Sequence, residues 1–151
     1  MGLDTTHDCW SGAYSAFHRW REMLAEVAGL PPLELMDGFY VHLNEQGGLP
    51  TLYHGIGTRS CENLQRLDSR LPIRWDALKP DPLHILLSHS DCDGEINWKD
   101  AEAIADRLDV LSKKMPAGDG GGHIGNWRDK TEQFAKGLRI AAKAKENVEF
   151  H

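Results

Sequence analysis

The chain has 151 residues, 40% of them hydrophobic and 26% charged, which is typical of a single globular domain with its own core. Its formal net charge of -6 argues against broad electrostatic binding to nucleic acid or to acidic membranes. No stretch is apolar for long enough to cross a bilayer, and the N-terminus lacks a signal-peptide pattern. Three cysteines without regular spacing indicate a reducing cytoplasm.

Helical periodicity begins close to the N-terminus. Asp8 and Ser11 are the candidate N-caps of this first helix, and Gly29 with the proline pair after it ends the helix. An apolar stripe at three- and four-residue steps predicts that one face lies in the core. The residues of this stripe are Trp10, Ala13, Phe17, Trp20, Leu24 and Val27.

Two further long helices are predicted, one from Trp98 to about Lys114 and one that follows Asn126. Residues 143–151 are expected to fray. Between the first two long helices, the strand-like runs 39–44 and 51–55 flank a Gly-Gly-Leu-Pro turn and predict a small hairpin. The expected fold class is therefore α+β, mainly α: one compact helical domain with a small β-hairpin.

Residues 81–115 read as helix, acidic turn and helix, and they hold the densest set of metal-binding side chains. With Gly94 on the glycine of the calcium-loop pattern D-x-[DN]-x-[DN]-G-x5-E, the first, third, fifth and last positions are His89, Asp91, Asp93 and Asp100. The stretch resembles a degenerate EF-hand loop. Imidazole is a poor calcium ligand, and Asp is shorter than the bidentate Glu of such loops.

The same turn has two other interpretations. Imidazole, thiolate and carboxylate all suit zinc or manganese, so His89 and its neighbours are also candidate transition-metal ligands, with partners from elsewhere. The purely structural alternative is a turn at Asp93-Gly94, with Asn97 as cap of the following helix and Asp81 as cap of the preceding one.

A glycine-rich segment, AGDGGGHIGNWRDK, precedes the last helix. Its G-x-G-x-x-G pattern would let backbone N–H groups approach a phosphate, although no strand precedes it. Asn126, Trp127 and Arg128 would supply donors, a stacking surface and a bidentate cation. Tyr53 and His54 on the predicted hairpin are further candidate ligand-binding residues. The alternative is a mobile linker.

Three reactive residues, His7, Asp8 and Cys9, precede the first helix, where a helix N-terminus would make a thiol more acidic. We expect this segment, the acidic turn and the glycine-rich loop to converge on one pocket. The motivating pattern is that each of the three contains histidine and precedes or links helices.

Three segments, GLDTTHDCWSGAYSAFHRWR, LHILLSHSDCDGEI and GGHIGNWRDKTEQF, resemble small uncharacterised proteins of tailed phages and prophages. The resemblance covers nearly the whole chain. It implies a small soluble protein in the cytoplasm of an infected bacterium, where such proteins often counter host defence by sequestering or cleaving nucleotide signals.

Three functions follow as hypotheses. The leading one is binding of a small polar or anionic ligand, such as a nucleotide, in which His7 joins the candidate ligand-binding residues. The second is a metal-dependent hydrolase, with the ion on His7, His89, Asp91 and Asp93 and with His123 or Glu95 as general base. The third is an EF-hand-like interaction module stabilised by calcium. A homodimer is compatible with each.

Overall fold

The computed structural model of the protein describes residues 2–36, 73–121 and 124–151. The predicted hairpin, with Tyr53 and His54, lies outside these residues, and so does His123. The described ranges are mainly helical and contain short antiparallel strand pairs. This architecture confirms the predicted class, α+β and mainly α.

Four α-helices occur in the described ranges: α1 (Tyr14–Val27), α2 (Leu83–Ser88), α3 (Trp98–Ser112) and α4 (Trp127–Ala144). The side chain of Asn97 accepts the Lys99 N–H at 2.9 Å and so caps α3 as predicted. Asp81 Oδ1 accepts the Leu83 N–H at 3.0 Å at the start of α2, which confirms the second predicted cap.

The first long helix begins later than its periodicity predicts. Residues Ser11–Ala13 form strand β2, which pairs antiparallel with β1 at Gly2–Asp4. The N-cap of α1 is Ala13, and no side chain caps this helix, so the predicted caps at Asp8 and Ser11 are wrong. Strand pairing satisfies the backbone here, while Trp10 is buried although it precedes the helix.

The C-terminal tail forms a strand instead of fraying. Strand β4 (Val148–Glu149) pairs antiparallel with β3 (Glu95–Ile96), and a bridge between Thr5 and Phe150 links this pair to the N-terminal strands. Phe150 is only 4% exposed, because its ring packs into the core. Both chain ends are therefore held beside the acidic turn.

Aromatic side chains from α1 and α4 form the centre of the core. The ring centroids of Trp20 and Phe134 are 4.9 Å apart, and Phe17 stacks on Phe134 at 6.3 Å. Trp20 Nε1 donates to Thr131 Oγ1 at 3.0 Å, so the buried indole N–H is satisfied. Burial of each large side chain contributes about 1.5–3 kcal/mol.

Helices α3 and α4 lie antiparallel. The Trp98 N–H at the start of α3 donates to Asn147 Oδ1 just after α4, and Arg128 at the start of α4 reaches the Ser112 carbonyl at the end of α3. Between these contacts, Arg139 forms ion pairs with three acidic side chains of α3, those of Glu102, Asp106 and Asp109. This pairing decides which loops can meet.

Candidate functional site

The acidic turn after α2 is held by a buried arginine. Arg21 is 1% exposed and donates to the main-chain carbonyls of Leu87 and His89. Burial lowers the pKa of Arg21 to about 10, while the charges of Asp91 and Glu22 oppose that shift. The guanidinium therefore remains protonated at neutral pH and fixes the start of the turn.

His89 has a defined ring orientation. Its Nδ1 lies 2.7 Å from the Ser90 carbonyl oxygen, which can only accept, so the neutral ring carries its proton on Nδ1 and a lone pair on Nε2. The ring packs on Phe150 with centroids 4.1 Å apart. Nε2 faces Gly94, where a Cβ would lie 3.4 Å away. The turn therefore presents one imidazole nitrogen, Nε2, whose lone pair could bind a metal ion.

The other residues predicted to share a metal with His89 do not join it. His7 and Asp91 are partly buried, and Asp93 and Asp100 are exposed. Across the described ranges, three or more ligand atoms of His, Cys, Asp or Glu lie within 4.8 Å of one another only in a different group. The residues outside this group are His7, His89, Asp91, Asp93, Glu95 and Asp100.

The residues after the glycine-rich loop have structural roles. Asn126 caps α4 by accepting the Asp129 N–H at 3.1 Å. Trp127 is 8% exposed and packs beneath Gly120, where a Cβ would lie 2.6 Å from its indole ring. Arg128 Nε donates to the Ser112 carbonyl at 3.1 Å and so caps the end of α3. All three side chains therefore make capping or packing contacts within the protein.

The loop backbone is also engaged. The Gly120 N–H donates to the Gly125 carbonyl at 2.8 Å, and the Gly121 N–H donates to Asp119 Oδ1 at 2.6 Å. These N–H groups are therefore bonded within the loop and do not point toward a phosphate. Gly122 lies outside the described residues.

The three histidine-containing loops do not form one pocket. The acidic turn directly precedes α3, whereas Arg128 binds the far end of that helix. At 1.5 Å per residue, the 15 residues of α3 place these ends roughly 21 Å apart. The predicted convergence is wrong for the glycine-rich loop. The N-terminal turn does lie beside the C-terminal strand, as the acidic turn does.

The N-terminal turn is a 3-10 turn, Thr6–Asp8, that packs on α4. Burial raises the pKa of Cys9 to about 12, so the thiol is less acidic than an ordinary one, opposite to the prediction. His7 instead forms two side-chain hydrogen bonds, to Thr6 Oγ1 at 3.0 Å and to Glu146 Oε2 at 2.8 Å.

The group that does bring metal ligands together consists of His18, Glu22 and Glu34. His18 and Glu22 are one turn apart on α1, and His18 Nε2 lies 3.2 Å from Glu22 Oε1. Glu34 comes from the 3-10 turn Leu33–Leu35, which follows α1 after the proline pair. One ligand atom of each residue lies within 4.8 Å of the other two.

Glu22 is a buried carboxylate, with its side chain 8% exposed. Burial alone would raise its pKa, but hydrogen bonds with His18 and Glu34 and the positive charges of His18 and Arg19 outweigh burial and lower the pKa. The group therefore holds a negative charge in a region of restricted solvent access. One imidazole and two carboxylates are also the donor types of zinc, manganese and iron sites.

The sequence contains a signal for this group, because the spacing H-x-x-x-E on a predicted helix places both side chains on one face. We did not predict the group. Glu34 carries no local signal, since only the reversal of the chain after α1 brings it back to Glu22.

Comparison of the chain with protein-family models, curated proteins and solved structures found no match. The resemblances to phage proteins and to an EF-hand loop therefore stay predictions. Among the helices described, none combines the length and apolar character needed to cross a membrane.

Proposed function

We propose that the protein is a metal-dependent hydrolase whose divalent transition-metal ion binds to His18, Glu22 and Glu34. The observation that carries the proposal is the meeting of one imidazole and two carboxylates within 4.8 Å. Three protein ligands leave positions for water and substrate, as in catalytic zinc centres. An ion there would lower the pKa of bound water and polarise the scissile group.

The contact between two carboxylates supports this proposal. One carboxylate oxygen of Glu22 lies within 4.8 Å of one of Glu34, and the Glu34 side chain contributes to the lowered pKa of Glu22. Two charged carboxylates in contact repel each other, and a divalent ion removes that repulsion more completely than one proton. Since His18 adds a nitrogen donor, the set favours zinc, manganese or iron over calcium, which prefers six to eight oxygens.

The ligand-binding hypothesis has less support from the described residues. Asn126, Trp127 and Arg128 are engaged in capping and packing. His7 is bonded to Thr6 and Glu146. Nucleotide binding and a role in counter-defence stay predictions, as do a calcium-stabilised module and a homodimer.

Metal binding is tested first. Protein purified without chelator or affinity metal is analysed for metals, stripped, and titrated with Mn²⁺ and Zn²⁺ while thermal unfolding is followed. At 100 times the dissociation constant, one bound ion stabilises the fold by about 2.7 kcal/mol. We expect this gain in wild type and its loss in His18→Ala and Glu22→Gln. His84→Ala is the control, because His84 lies on α2 and bonds the Asp81 carbonyl.

Hydrolysis is tested on the metal-loaded protein with bis(p-nitrophenyl) phosphate. We expect turnover that ends with chelator and returns with metal. Equal stabilisation of wild type and His18→Ala would contradict the site itself. A bound ion without turnover would contradict the hydrolytic role while leaving the site intact.

A further inference from the structure

The N-terminal 3-10 turn, Thr6–Asp8, has a strained backbone. His7 and Asp8 have φ values of 61° and 55°, in the left-handed region that non-glycine residues rarely adopt. Two consecutive residues of this kind persist only where their surroundings hold them. Such strain concentrates at functional sites.

Helix α4 holds this turn in place. Gln133 Nε2 donates to the Asp8 carbonyl at 3.0 Å. Gly137 lets the turn approach closely, because a Cβ there would lie 2.7 Å from the His7 carbonyl oxygen. The turn is thus fixed to the longest of the described helices. Its position is set before any substrate arrives.

The strained turn supports a chain of hydrogen bonds from a hydroxyl through an imidazole to a carboxylate. His7 Nε2 lies 2.8 Å from Glu146 Oε2, which requires a proton on Nε2 when the carboxylate is charged. In the neutral imidazole, Nδ1 is then the acceptor. Thr6 Oγ1 lies 3.0 Å from Nδ1 and can donate its hydroxyl proton to it.

The remaining contact of Thr6 agrees with this assignment. The backbone N–H of Glu149 donates to Thr6 Oγ1 at 2.9 Å. That bond uses one lone pair of the hydroxyl oxygen and leaves the second for attack, while the hydroxyl proton points to His7. Donors and acceptors are therefore matched at every atom of the chain.

We infer that Thr6, His7 and Glu146 form a second reactive centre, in which the Thr6 hydroxyl is a nucleophile for acyl groups. Oγ1 attacks the acyl carbon as its proton moves to His7 Nδ1, and Glu146 stabilises the resulting imidazolium. The leaving group then takes that proton as its bond to the acyl carbon breaks. A water then attacks the acyl carbon as its proton moves to His7 Nδ1, the bond between the acyl carbon and Oγ1 breaks, and Oγ1 takes that proton, which releases the acid and restores the hydroxyl.

The charges around the turn select the substrate class. Asp8, Glu146 and Glu149 are exposed carboxylates on or beside the three residues. With the exposed Lys145 beside Glu146 included, the charge around the turn is still net negative, which disfavours phosphates and other anions and favours neutral or cationic esters. This centre does not depend on the metal site, because it shares no residue with His18, Glu22 and Glu34.

The test is covalent labelling with a fluorophosphonate, which forms a phosphonate ester on an activated hydroxyl and releases fluoride. Peptide mass spectrometry identifies the modified residue, with chelator present throughout. We expect label on Thr6 and faster label in Thr6→Ser, whose primary hydroxyl is less hindered. Ser15, an exposed hydroxyl on α1, is the internal reference.

Substitution of the base separates reactivity from folding. Asn tolerates a left-handed backbone, so His7→Asn removes the imidazole without changing the turn. We expect labelling to fall at least about 100-fold, as for loss of a general base. His84→Asn is the matched control and should label like wild type. Labelling of Thr6 no faster than that of Ser15, or equal labelling in folded His7→Asn, would overturn the inference.

Discussion

Gly137 of α4 lies directly against Cys9, and a Cβ on Gly137 would approach Cys9 Sγ to 2.5 Å and Cys9 Cα to 2.9 Å. The N-terminal turn therefore packs on the helix backbone itself, at the one position of α4 that has no side chain. Both the buried thiol and the strained backbone of His7 depend on this close approach.

Gly137→Ala is expected to destabilise the protein. Alanine gains about 1 kcal/mol in helix propensity, but overpacking against backbone atoms costs about 1–3 kcal/mol, so the net loss should be up to about 2 kcal/mol. Urea unfolding measures the change. Lys136→Ala, at the exposed neighbouring position, should change little. A more stable Gly137→Ala protein would show that the turn does not pack as described.

Burial of the Cys9 thiol predicts a loss of stability at alkaline pH. The folded pKa of about 12 exceeds the ordinary value of 9.0, so the unfolded chain loses its proton first. The contribution of the buried thiol to the free energy of unfolding is fully present below pH 9 and is lost as the pH rises toward 12. Between pH 8 and pH 10, wild type should lose about 1.4 kcal/mol relative to Cys9→Ala. Parallel pH profiles of the two proteins would contradict the shift.

The lowered pKa of Glu22 predicts that the protein loses stability as the pH falls into the acid range. Its folded pKa is lowered from 4.5, so its contribution is present above that value and is lost as pH falls through the folded pKa. With chelator present, Glu22→Gln should lose less stability than wild type between pH 7 and pH 3. Glu132→Gln, on the exposed surface of α4, serves as the control and should follow wild type.

Arg128→Ala is expected to lower the stability of the protein. The guanidinium donates to the carbonyls of Ser112 and Lys113 at the end of α3, so its removal should cost about 1 kcal/mol. Arg74→Ala removes an exposed arginine whose ion pair with Asp76 is also exposed, and it should cost almost nothing. Identical urea midpoints for the two variants would exclude the capping role.

Local interactions made several features of this protein predictable. The apolar stripes of α3 and α4 and the Asn97 and Asp81 caps depend on residues within one or two turns of each other. The fold class could be predicted for the same reason. The Asn126-Trp127-Arg128 segment begins a helix as predicted, and the structure places its side chains in caps and core.

The sequence by itself determined helices α3 and α4 and the Asn97 and Asp81 caps, because periodicity and capping are short-range. Only the tertiary structure decided which groups meet. Antiparallel packing of α3 and α4 separates Arg128 from the acidic turn, and the reversal after α1 brings Glu34 to His18 and Glu22. The segment between α4 and the C-terminal strand places Glu146 against His7, across 139 positions. Such contacts depend on how elements pack, and no local pattern encodes them.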